Sequence, residues 1–417
     1  MVDAPALSRL VGDAAGFLDA SWGRMPRFVP AGGDWAGPAG LLSLDDVDHL
    51  VASSGLRAPA FRLVKQGRTL PIAEVTRQVR IGSRPVSDLV DVGAVLAAVA
   101  DGATLVLQGL HRSFAPVAAF CRDLETTLTH PVQANAYLTP PIAQGLNLHE
   151  DPHDVFAVQT YGTKRWVVHP PGNAPTDPGN TPTDEAWDLQ LEPGDVLYLP
   201  AGTRHAAQTV GTPSLHLTLG VRAITWRDVV TQVVDQLLRD DGDLDQPLPA
   251  GWASSPEVIA PELSARLDRL HTRLAEAPEP ERVLDRRAGR FWSARTPDLS
   301  GGLRDLLELD HLDDRTALRR RPSVAATVIE RDGSAEVVLR DRVLRMPPTL
   351  GPALQHVVAS ATLRPGDLDA LLDAPSRLVL CRRLVREGVF TIERGIPRDR
   401  ADHGPRRPDP PVGSAGD

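Results

Sequence analysis

The sequence predicts a mainly β chain with added α structure: a double-stranded β-helix, the jelly-roll barrel of cupins, followed by a helical region and a smaller mixed module. Three observations predict it. Short β-rich runs punctuated by Gly, Pro and Asn follow one another from about residue 132 to residue 223, as in VQANAYLTPP, HDVFAVQTYGTKRWVVHPP and WDLQLEPGDVLYLPAG. After Trp226 apolar residues recur at helical spacing. Beyond Pro322 short strand-like runs mix with helical ones, the texture of a winged-helix-like module.

The elements follow in chain order. Residues 1–25 read as a helical entry with Phe17, Leu18 and Trp22 on one face, and 28–46 as Gly- and Pro-rich loop. Ser43 with Asp45 and Asp46 caps a helix to about Ala52, and Val92–Val99 forms another. TLVLQGL at Thr104–Leu110 reads as a buried strand. Ala115–Leu128 reads as a helix with Pro116 in its first turn. Glu192–Asp195, EPGD, is a tight turn feeding the strand VLYLP. Helices are expected over Trp226–Leu238 and Leu263–Leu274, with Pro and Gly at 247–251 and Pro278 and Pro280 as breaks. Val324–Val328, Ala335–Leu339 and Val343–Met346 read as strands, Leu350–Ala359 and Pro375–Glu387 as helices, and Val389–Ile392 as a last strand. The expected division is a barrel domain at 1–225, a helical region at 226–315, a winged-helix-like domain at 316–396 and a disordered tail at 397–417.

Composition narrows the function classes. The chain has 417 residues, 45 basic against 54 acidic, and a formal net charge of −9. That balance argues against binding nucleic acid over the whole surface and leaves room only for a local basic one. Two cysteines, Cys121 and Cys381, rule out a disulfide framework and a thiolate zinc site. There is no apolar run of ~20 residues, so no membrane partner is expected. The N-terminal stretch lacks the pattern of a secretory signal, which makes the cytoplasm the expected compartment.

The chemistry concentrates in His149-Glu150-Asp151. On a strand, positions i and i+2 face the same way, so His149 and Asp151 are expected to project together into the barrel. His205 follows the strand VLYLP, within the run PGDVLYLPAGTRH. Two imidazoles and one carboxylate on one face of a metal leave the opposite positions open, as in the facial triad of non-heme Fe(II) oxygenases. Trp166 and Phe156 read as barrel packing. The run Arg319–Arg321 reads as a solvated basic stretch, with contact to RNA or an acidic surface as the sharper alternative. The tryptophans form no periodic stripe, so an aromatic cage is not expected.

These segments resemble the JmjC-type ribosomal oxygenases, cupin-like hydroxylases that use Fe(II) and 2-oxoglutarate. The resemblance is carried by NAYLTPP at 135–141, QGLNLHEDPHDVFAVQTYGTKRW at 144–166, LEPGDVLYLPAGTRHAAQT at 191–209 and SLHLTLG at 214–220. TLVLQGLHR at 104–112 and FLDASWGRMP near the start match as well. The likeness is strong over about 5–225 and weaker to about 395.

By position, the resemblance makes His149, Asp151 and His205 the iron ligands. Lys164, thirteen residues after Asp151, becomes the cation for the distal carboxylate of 2-oxoglutarate. Asn135, Tyr137 and Ser214 match positions lining the same pocket, and His216 lines or packs beside it. The chain departs from the family at Glu150, where an aromatic or small polar residue is usual, and at Pro152-His153, which replaces an acidic pair and puts His153 at the rim. The resemblance further implies O2 as co-reactant, hydroxylation of a side chain on a ribosomal or other protein, and a homodimer formed through the helical region. The alternatives are a 2-oxoglutarate oxygenase acting on tRNA or a small molecule, a cupin isomerase or a dioxygenase independent of 2-oxoglutarate, and a non-catalytic metal-binding scaffold. Lys164 has no purpose in a cupin enzyme without 2-oxoglutarate, and the intact triad speaks against a mere scaffold.

Overall fold

A computed structural model of the chain describes residues 5–32, 37–141, 147–170, 186–276, 280–295, 297–321, 327–331, 333–339 and 342–393. The chain divides into two compact units, Met1–Phe291 and Trp292–Asp417.

The first unit begins with α1 (Pro5–Val11), α2 (Ala14–Ala20), β1 (Arg27–Val29) and α3 (Leu44–Ser53). Ser43 caps α3 through a reciprocal capping box with Asp46, an arrangement worth about 1 kcal/mol. Then come β2 (Phe61–Lys65), β3 (Arg68–Thr69), β4 (Thr76–Ile81), β5 (Arg84–Val90), α4 (Val92–Ala100), β6 (Thr104–Leu107), α5 (Leu110–Ser113) and α6 (Ala115–Leu128). The barrel is completed by β7 (Val132–Thr139), β8 (Asp154–Gly162), β9 (Lys164–His169), β10 (Trp187–Leu191), β11 (Val196–Leu199), β12 (Arg204–Gln208) and β13 (Ser214–Val221). Helices α7 (Trp226–Arg239), α8 (Pro256–Ala275) and α9 (Pro280–Ser293) follow.

Two antiparallel sheets form the jelly roll. The large one runs β1-β11-β8-β13-β7-β6-β2-β3, and the small one runs β10-β9-β12. The outer face of the large sheet carries Ala134, Ala136, Phe156, Val158, Tyr198, Leu217 and Leu219 into the main core with α1, α2 and α6. Its inner face meets the small sheet through Val155, Ala157, Leu197 and Leu199 against Trp166, Val168 and Leu191. Period-2 alternation therefore splits each strand between a hydrocarbon core and an inner face free to carry polar groups.

The EPGD turn forms as the sequence suggests. The Asp195 carboxylate accepts from the Glu192 and Ala31 amides at 2.8 and 2.7 Å. Gly194 there has φ +101°, and a Cβ would stand 2.8 Å from the Ala31 side chain, so the position needs glycine.

Three readings are corrected. The strand at 104 stops at Leu107, because Gly109 turns left-handed (φ 71°) and starts α5. Leu18, expected on the apolar face with Phe17, is 40 % exposed. Strands β2, β4 and β5 escaped the reading, since Arg and Lys interrupt their apolar alternation.

The second unit holds α10 (Gly302–Glu308), β14 (Leu318–Arg320), β15 (Thr327–Arg331), β16 (Ser334–Val338), β17 (Val343–Met346), α11 (Gly351–Ala359), β18 (Thr362–Leu363), α12 (Ala374–Arg386) and β19 (Phe390–Ile392). Its strands form two three-stranded sheets, β18-β14-β19 and β15-β16-β17, around a core that includes Leu318, Leu354, Leu384 and Phe390. The run Arg319–Arg321 is exposed only at Arg319. Arg321 is buried in an ion pair with Asp305 at 2.9 Å, and Arg320 donates to the Val358 carbonyl. Residues 397–417 and Val324 lie outside the described residues.

Candidate metal and cosubstrate site

The inner faces of the two sheets enclose a cavity of about 270 Å3. The strands supply its walls in alternate positions: Arg62 and Val64 from β2, Thr104 and Val106 from β6, Lys164 and Trp166 from β9, His205 and Ala207 from β12, His216 and Thr218 from β13. Tyr137, Val155, His149 and Asp151 complete them.

His149, Asp151 and His205 converge here, with one potential ligand atom from each lying within 4.8 Å of the others. The His-x-Asp pair is not in a strand, as the sequence reading assumed. It lies in the segment entering β8, where His149 forms an isolated antiparallel bridge with His205. His205 follows the strand VLYLP as expected and is the second residue of β12. The His149 and His205 amides donate to each other's carbonyls at 3.0 and 2.8 Å.

The rings are oriented by the same device. Nδ1 of His149 faces the Asn147 carbonyl at 2.7 Å, and Nδ1 of His205 faces the Thr203 carbonyl at 2.9 Å. A carbonyl only accepts, so each Nδ1 carries the proton and each Nε2 is left bare for a metal. Asp154 locks the two segments together: its carboxylate accepts from the Ala201 amide and the Tyr198 hydroxyl, both at 2.8 Å. The Gly202 amide donates to the Asp151 carbonyl at 2.8 Å. Burial lowers the pKa of His205; His149 adds to the effect and Asp151 opposes it.

Lys164 is 3 % exposed and has no carboxylate partner among the described residues. Its Nζ donates to the Thr139 hydroxyl at 3.1 Å and lies 3.4 Å from Nδ1 of His216. Burial lowers its pKa to about 7. Burial, then Lys164 and His205, hold His216 well below its ordinary value, so it is neutral. Tyr137 stacks on His216 at 4.8 Å with ring planes 7° apart, and burial raises its pKa. An uncompensated buried ammonium is costly, and a cavity that keeps one has a place for an anion.

The other positions divide. Asn135 does not line the cavity; its side-chain oxygen accepts from the Gly109 amide at 3.0 Å. Ser214 is fully buried and accepts from the Gln159 side chain at 2.9 Å, also outside the lining. His153 lies against Gly220, where a Cβ would stand 2.6 Å from its Nε2. Phe156 packs in the core as read. Trp166 does not merely pack: it lines the cavity and stacks on His205 at 5.9 Å. Arg62 was missed. Its Nε donates to Gln108 at 2.8 Å and its side chain joins the wall. A charged residue inside FRLVK was the available signal.

Known proteins resemble this chain in sequence and in fold. The JmjC domain family matches residues 110–229. Ribosomal oxygenase 2 of Bos taurus is 31% identical over 223 residues, 47% of this chain and 46% of the relative. Ribosomal oxygenase 2 of Rattus norvegicus is 36% identical over 128 residues, 29% of this chain and 28% of the relative. The bifunctional lysine-specific demethylase and histidyl-hydroxylase NO66 of Drosophila mojavensis is 38% identical over 111 residues, 24% of this chain and 12% of the relative. The chain thus spans less than half the length of these curated relatives. Among solved structures, YcfD, a ribosomal oxygenase from Escherichia coli in complex with cobalt and 2-oxoglutarate, aligns over 92% of this chain and 99% of its own, with a TM-score of 0.51 and 21% identity. That likeness is one of fold. Residues 110–229 thus carry a JmjC domain, and the chain is similar in sequence and fold to ribosomal oxygenases.

Proposed function

We propose that the protein is an Fe(II)- and 2-oxoglutarate-dependent oxygenase that hydroxylates a side chain of a ribosomal or other protein. The observation that carries it is one cavity holding both a His-Asp-His cluster and, apart from it, a buried lysine without a carboxylate.

The residues fit the groups. Two bare imidazole nitrogens and a carboxylate, with no thiolate, suit iron with open positions. His149, Asp151 and His205 hold the metal, and Lys164 with Tyr137 receives the distal carboxylate of the cosubstrate. Bound iron, 2-oxoglutarate and O2 together supply the oxidising power for an unactivated C–H bond. The chain's own work is positional. The Asn147 and Thr203 carbonyls fix the imidazole tautomers. Thr139 and His216 keep the Lys164 ammonium at the inner wall. Trp166, Val106 and Val155 supply apolar walls that limit water. Asn135 and Ser214 act behind the wall, through Gly109 and Gln159.

The same reading makes the protein cytoplasmic and a homodimer through region 226–315. In support, α7 and α8 have no buried residue, and Trp226, Val230, Val258, Leu263 and Leu267 are exposed, Trp226 at 79 %. Among the described residues no helix is long and apolar enough to cross a membrane.

The test of substrate class is a ribosomal-protein fraction incubated with protein, Fe(II), ascorbate, 2-oxoglutarate and O2, then analysed by peptide mass spectrometry. A side chain that gains one oxygen atom in an iron-dependent way supports the reading. The same gain on RNA or a metabolite, with none on protein, contradicts it.

A further inference from the structure

Strands β4 and β5 form a two-stranded sheet, tied at its base by an isolated bridge between Leu89 and Arg57. Val75 and Val90 at the root are buried in the main core, and nothing between them is buried. A lone two-stranded ribbon is marginal in water, so the root anchors an arm about 20 Å long by strand rise. Its register shifts between Arg77 and Val79, which adds local twist.

The charge on this arm opposes that of the chain. Arg77, Arg80 and Arg84 are exposed and have no carboxylate partner among the described residues, and Arg68 before the arm is the same. Between Gln66 and Ser87 the only acid is Glu74, in a chain of net charge −9. The flanking cations behave differently: Arg57 pairs with Asp88 and Lys65 with Asp101. Arg84 lies opposite Ile81 at the tip, on the same face as Arg77, and Arg80 alternates to the other face. The segment contains no aromatic residue, so it offers no platform for stacking bases. Planar guanidinium forks match phosphates bidentately and carry no sequence information. The β2–β3 turn ahead of the arm borders the site: a Cβ on Gly67 would meet the Asn147 side chain at 2.9 Å, and the Asn147 carbonyl orients His149.

We propose that the β4–β5 arm is an RNA-docking element that grips phosphates with Arg77, Arg80 and Arg84 and so holds a ribonucleoprotein substrate on the protein. The choice of RNA over DNA rests on the ribosomal substrate proposed above; the polyanion itself follows from the arm.

The test is fluorescence anisotropy with a fluorescein-labelled structured RNA, a DNA duplex of equal length and a poly-glutamate peptide as competitor. The full-length wild type is expected to bind the RNA with log K falling by about 3 per decade of salt, from three phosphate contacts. The variant R77E/R80E/R84E is expected to bind at least about tenfold more weakly, each lost contact removing about 1 from the slope. Arg319→Glu, in the second unit, is expected to bind like the wild type. Unchanged circular dichroism and substrate-free succinate formation check the fold and the site. The proposal is overturned if the triple variant binds RNA like the wild type, if poly-glutamate displaces RNA at equal charge, or if the DNA duplex binds more tightly. Failure here with succinate formation intact leaves the oxygenase reading standing. RNA binding without succinate formation supports the arm and counts against the oxygenase.

Discussion

His149 and His205 are direct antiparallel partners: their amides and carbonyls exchange hydrogen bonds of 3.0 and 2.8 Å, and their rings lie 4.4 Å apart between centroids. Two residues far apart in sequence thus become one rigid unit before any metal arrives, so little ordering remains to be done on binding.

Asp154 braces that unit, because its carboxylate holds the Ala201 amide just ahead of His205 and sits three positions after Asp151. Asp154→Ala is expected to lower Mn(II) affinity by about 10–100-fold, measured by competition with a chelating dye. Unaltered affinity in a folded variant contradicts the brace.

Lys164 trades stability for binding. Lys164→Met removes a buried ammonium that lacks a carboxylate and keeps the stem. The apoprotein is expected to unfold at higher temperature than the wild type, by about 1–3 kcal/mol of added stability. Its affinity for 2-oxoglutarate is expected to fall by about 10–100-fold, the loss of a charge-assisted hydrogen bond. A variant that is less stable and binds normally reverses the assignment.

The same lysine sets a pH dependence. Burial lowers its pKa to about 7, so the free protein loses this charge as the pH rises through 7. A bound dianion restores the proton. Affinity for 2-oxoglutarate is therefore expected to be full below pH 7 and to weaken above it, with proton uptake that grows toward one. Calorimetry of Mn(II)-loaded protein in buffers of different ionisation heat reads this directly. Equal uptake at about pH 6 and about pH 8.5 rules it out.

Acid should loosen the first unit through two histidines. Nδ1 of His111 accepts from the Ala134 amide and Nδ1 of His130 from the Ile224 amide, each at 3.1 Å. Burial lowers both below 6.5. The unfolded chain takes up the proton first, so their contribution is full above pH 6.5 and is lost as the pH falls below it. Urea midpoints across that range should drop more steeply in the wild type than in His130→Gln. Parallel curves show that His130 contributes nothing.

How much of this was legible follows from residue chemistry. The convergence of His149, Asp151 and His205 was readable because His-x-Asp and PGDVLYLPAGTRH are local patterns. Lys164 was singled out by its spacing from Asp151, and the structure buries it in the cavity wall. The strand assumed for His149 was not real: a single bridge brings it to His205, and pairing between distant segments leaves no period in sequence. Arg62 and the β4–β5 arm stayed hidden because both faces of those strands carry charge, which erases the apolar alternation that marks a strand. Arg321 read as solvated because its partner, Asp305, lies in another element.

The central claim is that His149, Asp151, His205 and Lys164 form one iron and 2-oxoglutarate site. Its most direct test is an anaerobic titration of Fe(II)-loaded protein with 2-oxoglutarate, following the visible band that arises when a 2-oxo acid chelates Fe(II). The wild type is expected to develop the band and saturate, His149→Ala and His205→Ala to show none, and Lys164→Met to need far more 2-oxoglutarate. A wild type without the band, or a His149→Ala variant that keeps it, contradicts the account.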